Sequence, residues 1–344
     1  MTLTELGFGP FSARLPDGAW PARIVSEHRG ALEAHDGVLL HSIPPHPQAA
    51  VGDWVHLREG PDGLHIVHIA ERINAVQRKA AGAFTGRQTV AANLDRVFIV
   101  TSMNRDLKLS RIERFLVATR GIPTTVVLNK ADQGPVGPAL VEIKALGCDA
   151  VATSALTGVG LEQLRVRMGP GRTSALVGTS GVGKSSLLNA LAGQPLMNTG
   201  DIRRRDARGR HTTTRRQLFV LPGLGAFIDT PGMRELALTD EADPTEAFAD
   251  LEALAVRCRY RSCQHDGDEG CAIDAAVAEG QLTRRRVTSW FKLKDEAAEA
   301  KRRHERHLAK KARERQKKTM ARIAERDRWR TRRGKRQRRR CRRD

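Results

Sequence analysis

Three short motifs, and above all their order, constrain this chain more than its composition does. Asn129-Lys130-Ala131-Asp132 comes first, Gly178-Thr179-Ser180-Gly181-Val182-Gly183-Lys184-Ser185 second, and Asp229-Thr230-Pro231-Gly232 third. The middle one fits G-x-x-x-x-G-K-[ST], a loop whose backbone N–H groups close around phosphate oxygens. The third ends an apolar run with a carboxylate suited to Mg²⁺, then offers a glycine N–H to a γ-phosphate. The first supplies an aspartate that accepts two N–H bonds from a guanine edge, which adenine does not present. A base-reading element ordinarily follows the phosphate loop. Here it precedes it by roughly fifty residues, from Asp132 to Gly178.

Alternation of short apolar runs with helical segments predicts an α/β domain over residues 86–240. Val97–Val100, Thr124–Leu128, Ala150–Ala152, Ser174–Val177 and Gly225–Ile228 read as its buried strands. One intervening helix is expected to open on a capping box of Ser110 and Glu113. Ile112, Phe115 and Leu116 would form its apolar face, and Gly121 its stop. Another opens at the phosphate loop. The architecture predicted is doubly wound, with ligands at the carboxyl edge of the sheet.

Residues 1–85 read as a small β-barrel with its linker. Ala22–Val25, Gly37–Leu40, Val51–Val55 and Gly63–Val67 are strand-like runs broken by Gly, Pro and Asp, and Arg78–Val90 reads as the linker. The first 80 residues hold 7 Lys/Arg against 9 Asp/Glu and few aromatics. On composition alone this is a structural barrel.

Charge is concentrated at the other end. Of the net +20, an excess of 18 lies in the last 44 residues, with 23 Lys/Arg against 5 Asp/Glu. The tail over 296–344 is therefore either a solvated helix or disordered until bound, and its natural partner is a polyanion. No run of eighteen apolar residues and no basic-then-apolar leader is present, so the expectation is a cytoplasmic protein without a membrane partner. Cys341 stands fourth from the end, but Arg342-Arg343-Asp344 does not make a prenylation signal.

Residues 241–295 carry Cys258-x₄-Cys263-x-His265-x₅-Cys271 between helical pieces. Three thiolates and an imidazole this close predict one closed, tetrahedral, structural Zn²⁺ site. Cys148 reads as an ordinary small apolar residue.

Within the nucleotide motifs, Lys184 is expected to bridge the β- and γ-phosphates, and Ser185, followed by Ser186, to give Mg²⁺ a hydroxyl. Lys130 would lay its methylene stem along the base. Thr153-Ser154-Ala155-Leu156 resembles the GTPase element whose backbone N–H meets guanine O6. Asp229 would bind Mg²⁺ through water and Gly232 would sense the γ-phosphate. Gly209–Thr214 reads as a first switch in which Thr212, Thr213 or Thr214 completes the Mg²⁺ shell. Spacing does not fix the register, and Thr213 is favoured. His211 is either a water-orienting catalytic group or a surface histidine without a role. Met233 occupies the place where regulatory GTPases commonly carry a glutamine, so unaided hydrolysis is expected to be slow.

A β-barrel, a GTPase permuted so that its base motif leads, and this cysteine–histidine spacing are together similar to the bacterial ribosome small-subunit-dependent GTPase A family, over residues 20–295. The fold class expected is multidomain: a barrel, a circularly permuted P-loop GTPase, a mainly helical zinc-binding domain and a basic tail. The resemblance implies that the barrel is an OB-fold. It also implies a late-acting assembly factor, monomeric, that hydrolyses GTP with Mg²⁺, binds the 30S subunit and 16S rRNA, and is stimulated by that subunit. The alternative is a permuted GTPase acting on another ribosomal or RNA assembly. A membrane GTPase would need an anchor, and a non-catalytic RNA module would need no phosphate loop.

Overall fold

The computed structural model describes residues 1–9, 17–28, 30–79, 87–103, 107–196, 216–229 and 238–340. Five strands open the chain: β1 (Trp20–His28), β2 (Ala31–His35), β3 (Leu40–Ile43), β4 (Trp54–Gly60) and β5 (Gly63–Ile69). They form an antiparallel unit in which β1 pairs both β2 and β4, and β4 pairs β5. Two expected strands sit elsewhere. Gly37–Leu39 is the turn before β3, tied by Asp36 Oδ1 accepting from Val38 N and Leu39 N. Val51–Asp53 likewise precedes β4.

The two ends of the expected linker belong to strands: β6 (Ala75–Lys79) and β7 (Arg87–Ala92) pair antiparallel, and residues 80–86 between them lie outside the described residues. Their alternation is weak because Val76, Val90 and Ala91 supply the apolar residues that pack inward. Too few apolar residues mark the pattern in so short a run.

The α/β domain follows, with β8 (Arg96–Ser102), α1 (Leu109–Ala118), β9 (Thr124–Asn129), α2 (Gly137–Lys144), β10 (Asp149–Ala152), α3 (Leu161–Arg165), β11 (Thr173–Val177), α4 (Lys184–Ala192), β12 (Arg216–Leu221) and β13 (Gly225–Asp229). All five expected strands are present. The order β10-β9-β8-β11-β13 is parallel throughout, and β12 adds antiparallel to β13. Val97, Val126, Val127, Ala175, Val177 and Phe227 are fully or nearly fully buried, as strands covered on both faces must be. Strand order reverses between β8 and β11, so the switch point lies beside the segment that leaves β11.

The sheet does not stop at β12. Its free edge pairs with β1, at Ser26↔Gln217 and Glu27↔Arg216, so the N-terminal unit continues the same eleven-stranded sheet. Arg23 locks the junction. It is buried, donates to Thr173 Oγ1 at 2.7 Å, to Gly52 O and Asn93 O at 3.2 Å, and closely to Leu6 O. Burial pulls its pKa down to about 10, which leaves the guanidinium charged.

The C-terminal part consists of α5 (Ala249–Ala255), α6 (Ala272–Ala278) and α7 (Arg284–Arg340), one helix of 57 residues. Phe248, Leu251, Ile273, Val287, Trp290 and Leu293 form its core together with Val117 of α1. The tail is thus a helix, continuous with the packed region.

The capping box is a correction. The N-cap of α1 is Lys108, with no side-chain hydrogen bond, and Ser110 lies inside the helix. Glu113 is wholly buried because Arg285 and Arg286 of α7 both donate to it. A local pattern was outcompeted by partners about 170 residues away. Gly121 does take a left-handed φ of 73° beyond the helix.

Candidate nucleotide site and metal cluster

Every strand that carries a nucleotide motif ends at the same edge of the sheet. Asn129 is the last residue of β9, Thr153 follows β10, Gly178 follows β11, and Asp229 closes β13. The phosphate loop spans Gly178, Thr179, Ser180, Gly181, Val182 and Gly183, and α4 begins at Lys184. Two of its glycines are required by their surroundings. Gly178, at φ 145°, lies where a Cβ would strike Val100 O of β8, and Gly183, at φ 93°, where one would strike Asn129 Nδ2. Lys184 Nζ donates to Gly178 O and Thr179 O, both at 2.9 Å, which holds the ammonium over its own loop. Ser185 is half-buried in the first turn of α4 and Ser186 is exposed beside it, while Val182 is buried below. The helix N-terminus and the loop N–H groups together favour an anion here.

Asn129 joins the two halves of the site. It is buried, and its Nδ2 donates to Val182 O at 2.9 Å while its Oδ1 accepts from Ala155 N and Thr153 Oγ1 at 3.3 Å. One amide therefore fixes the phosphate loop, the end of β9 and the segment after β10. Lys130, with a left-handed φ of 60°, reinforces this by donating from Nζ to Gly181 O at 2.9 Å. Its methylene stem consequently spans the gap between the two loops. Asp132 stands exposed on a short 3₁₀ turn, Ala131–Gln133, with Ser154 Oγ donating to its Oδ1 at 2.5 Å. Ala131 N donates to Thr153 O at 2.9 Å, which ties the two base-side segments together.

Asp229 is opposite Gln217 of β12 on one side and Leu176 of β11 on the other. Its carboxylate is thus one residue short of the β11 terminus from which the phosphate loop departs. His211, Thr213 and the rest of Gly209–Thr214, together with Gly232 and Met233, lie outside the described residues.

The ligand atoms of Cys258, Cys263, His265 and Cys271 lie within 4.8 Å of one another. His265 Nδ1 is 3.5 Å from both Cys258 Sγ and Cys271 Sγ. His265 takes a φ of 59° and is buried, its ring 5.7 Å from Trp290 and 6.0 Å from Phe291. Asp268 organises the loop by accepting from Gln264 N at 2.6 Å and His265 N at 3.0 Å, and Cys271 caps α6 through Asp274 N. Desolvation pushes the Cys263 thiol up to about 12 and raises Cys271 as well. A bound cation reverses that logic and takes the sulfurs as thiolates. The donor set and spacing fit a tetrahedral cation. Cys148, by contrast, is a half-buried thiol donating to Ile143 O.

Sequence reasoning missed the cross-links. The amide of Asn129 and the Glu113 pairs join segments far apart in the chain whose proximity no local pattern announces, while the carboxylate of Asp268 ties the backbone of its own loop.

A family model described as RsgA GTPase matches residues 69–239. A second, described as ABC transporter, matches residues 161–323, a span that contains the phosphate loop but not Asn129–Asp132. The chain is 42% identical over 294 residues to the small ribosomal subunit biogenesis GTPase RsgA of Xylella fastidiosa strain M23, covering 80% of this chain and 87% of that one. It is 42% identical over 318 residues to the protein named RsgA 2 in Vibrio parahaemolyticus, covering 86% of each. Among solved structures it resembles YjeQ from Thermotoga maritima, with a TM-score of 0.58 at 25% identity, over 81% of this chain and 99% of that one. It also shares its fold with YloQ, a circularly permuted GTPase, at a TM-score of 0.56 and 20% identity, over 83% of this chain and 98% of that one.

Proposed function

Because the chain belongs to the RsgA GTPase family, we propose that it hydrolyses GTP as a maturation factor of the small ribosomal subunit. The observation that carries the reading is the Asn129 side chain, which bonds at once to the phosphate loop and to the segment after β10 that resembles a guanine-reading element. The base end is Asn129, Lys130, Asp132, Ser154 and Ala155. The phosphate end is Gly178–Ser185, with Ser186 behind it and Lys184 neutralising charge that develops on the transferring phosphoryl group. Mg²⁺ would be held by Ser185, Asp229 and Thr213, and Gly232 would meet the γ-phosphate. Mg²⁺ supplies electrostatic neutralisation of the β- and γ-oxygens when bound. His211 is the residue we assign to orienting water once the subunit docks, since Met233 offers no hydrogen bond for that task.

Partners and accessories follow the same reading. The N-terminal unit closes as an OB-like barrel and contacts 16S rRNA within the 30S subunit. Cys258, Cys263, His265 and Cys271 hold one structural Zn²⁺, and the protein acts as a cytoplasmic monomer. Among the described residues no helix is long and apolar enough to cross a membrane.

The test is a GTP hydrolysis assay of the free protein alone, with 30S subunits and with 50S subunits, with ATP as the control nucleotide. Slow GTP turnover raised many-fold by 30S alone is expected. Stimulation by 50S subunits in its place, or equal use of ATP, overturns the assignment.

A further inference from the structure

The N-terminal unit reaches the nucleotide site along a single line of paired residues. Ser26 of β1 lies opposite Gln217 of β12, Gln217 lies opposite Asp229 of β13, and Asp229 lies opposite Leu176 of β11. Four strands thus connect the antiparallel unit to the metal-side carboxylate and to the strand that launches the phosphate loop. Among the described residues, the first of these joints is made by the pairs Ser26↔Gln217 and Glu27↔Arg216.

A side-chain ion pair stands at that joint. Arg216 is buried and makes a close contact from Nη1 to Glu27 Oε2. Arg78 of β6 is near enough that the Arg216 charge, after desolvation, lowers its pKa. The Glu27 carboxylate acts on Arg78 in the opposite sense, so removing its charge leaves the two guanidiniums repelling each other more strongly. A cleft of about 840 Å³ opens beside the pair, lined by Pro45, His46, Arg72, Gln88 and Thr89 besides Glu27 and Arg216.

The middle of β1 is fixed. Arg23 is anchored by its four acceptors, one of them Thr173 at the start of β11. Glu27 is four residues along the same strand, about 13 Å away at 3.3 Å per residue, beyond a register shift between Ile24 and Ser26. β1 thus joins a buried anchor to a charged contact with β12.

We infer that Glu27 and Arg216 are positioning residues, through which force on the N-terminal unit sets β12 and hence the placement of Asp229 at the Mg²⁺–nucleotide site. This rests on the proposed GTPase reading and adds to it a route from the N-terminal unit to the reaction centre. Neither residue touches nucleotide; both act through β12. The ion pair is the element whose loss decouples the two units while each stays folded.

The full-length protein with Glu27→Gln, Arg216→Gln and the exchanged pair Glu27→Arg/Arg216→Glu would be compared with the parent. Three quantities are read: the Mg²⁺ concentration for half-maximal GTP hydrolysis by the free protein, the kcat and apparent KM for 30S stimulation, and the thermal midpoint. We expect Glu27→Gln to raise the Mg²⁺ requirement at least threefold. It should lower 30S-stimulated kcat about tenfold without changing the apparent KM for the subunit. The exchanged pair should recover most of both. An unchanged Mg²⁺ requirement in Glu27→Gln overturns the inference. So does a loss that tracks the thermal midpoint across all variants and is not recovered by exchange, because that is a folding effect. If the parent shows no 30S stimulation, the functional reading fails, and the Mg²⁺ titration still decides the coupling.

Discussion

Arg286 donates to Glu113 at 3.0 Å across 173 residues of chain, and both side chains are removed from solvent. Arg286 also grips Asp250 at 2.7 Å, and Arg285 adds 2.9 Å and 3.2 Å bonds to the same glutamate. The base of α7 is thereby fixed to α1, whose C-terminal half shares the core containing Trp290 and Phe248. Together with Arg114, which donates to Glu296 of α7, this network ties the C-terminal helices to α1.

Removing Glu113 takes away one of the two carboxylates that face the buried Arg286 and leaves it Asp250 alone. Glu113→Ala is expected to cost about 3 kcal/mol, the low end for a broken buried pair, because Asp250 still compensates the charge. Arg285→Ala, half-exposed at its own end, should cost much less, within about 1 kcal/mol. Urea unfolding measures both. Equal, small losses for the two would show that the network carries little of the docking.

Asn129 gives a different signature, since it bridges loops and not domains. In Asn129→Ala, two backbone groups, the buried Val182 O and the half-buried Ala155 N, lose their partner. An unsatisfied buried group costs about 1–3 kcal/mol. GTP and GDP affinity should therefore fall together by tenfold or more in titration calorimetry. A loss confined to GTP would place the residue at the γ-phosphate and refute the bridging role.

Guanine selectivity is assigned to the exposed carboxylate of Asp132, steadied by Ser154 Oγ. Its two charge-assisted bonds to N1–H and N2–H₂ are worth roughly 1.5–3 kcal/mol each. Asp132→Asn presents N–H groups toward donors, so GTP should weaken while xanthosine triphosphate gains. Unchanged GTP affinity in a nucleotide titration sinks the assignment.

Those predictions draw on features that differ in how well the sequence announces them. The five α/β strands were legible because each contains a short apolar run, from Ala-Val-Ala in β10 to Val-Val-Leu in β9. The phosphate loop was legible because Gly178 and Gly183 leave no room for a side chain. The metal cluster needed only spacing, since all four donors fall within one loop and one helix cap. Glu113 was misread because Ser110-x-x-Glu113 also satisfies a local capping rule, and only tertiary structure decides which partner wins. The β6–β7 hairpin escaped notice because its strands are polar on their outer faces. The joining of β1 to β12 could not be read at all, for edge-to-edge pairing leaves no mark in either strand's own pattern.

Metal affinity at the cysteine cluster should be pH-dependent in a stated direction. The Cys263 thiol is pushed up to about 12 and Cys271 is also raised, so protons compete with metal throughout the neutral range. Binding releases those protons, and affinity should fall steadily as pH is lowered from 8 to 6. Metal analysis should find about one Zn²⁺ per chain. Cys258→Ser should destabilise the C-terminal helices and weaken subunit binding, leaving nucleotide affinity of the free protein nearly intact. Stoichiometric metal bound equally at pH 6 and pH 8 would contradict the first claim, and an equal loss of nucleotide binding the second.

The charged half of α7 should act apart from the switch. Among the described side chains Ala297 is the last buried one of the helix, and from Lys301 to Met320 the Lys and Arg side chains are exposed on every side. A helix rises about 1.5 Å per residue, so the forty residues from Lys301 to Arg340 span roughly 60 Å, tied near their start by His304 to Asp240. Among the described side chains of this arm only Leu308, Met320 and Ile323 are scattered, large exposed apolar points. It can neutralise phosphates, and each one neutralised adds to the salt dependence of binding. A contact of that kind does not distinguish GTP from GDP states, because an equilibrium shifts only through differential affinity for the two. Truncation after residue 300 should therefore lower 30S affinity in both nucleotide states by a similar factor. It should also flatten the plot of log affinity against log salt. Tighter 30S binding with a GTP analogue than with GDP, expected if Gly232 meets the γ-phosphate, should survive. Sedimentation binding at several salt concentrations, with GDP and with a non-hydrolysable GTP analogue, measures all three. If truncation instead abolishes the GTP/GDP difference, the helix beyond Ala297 belongs to the switching apparatus, and the tie between Arg286 and Glu113 is the route by which it is reached.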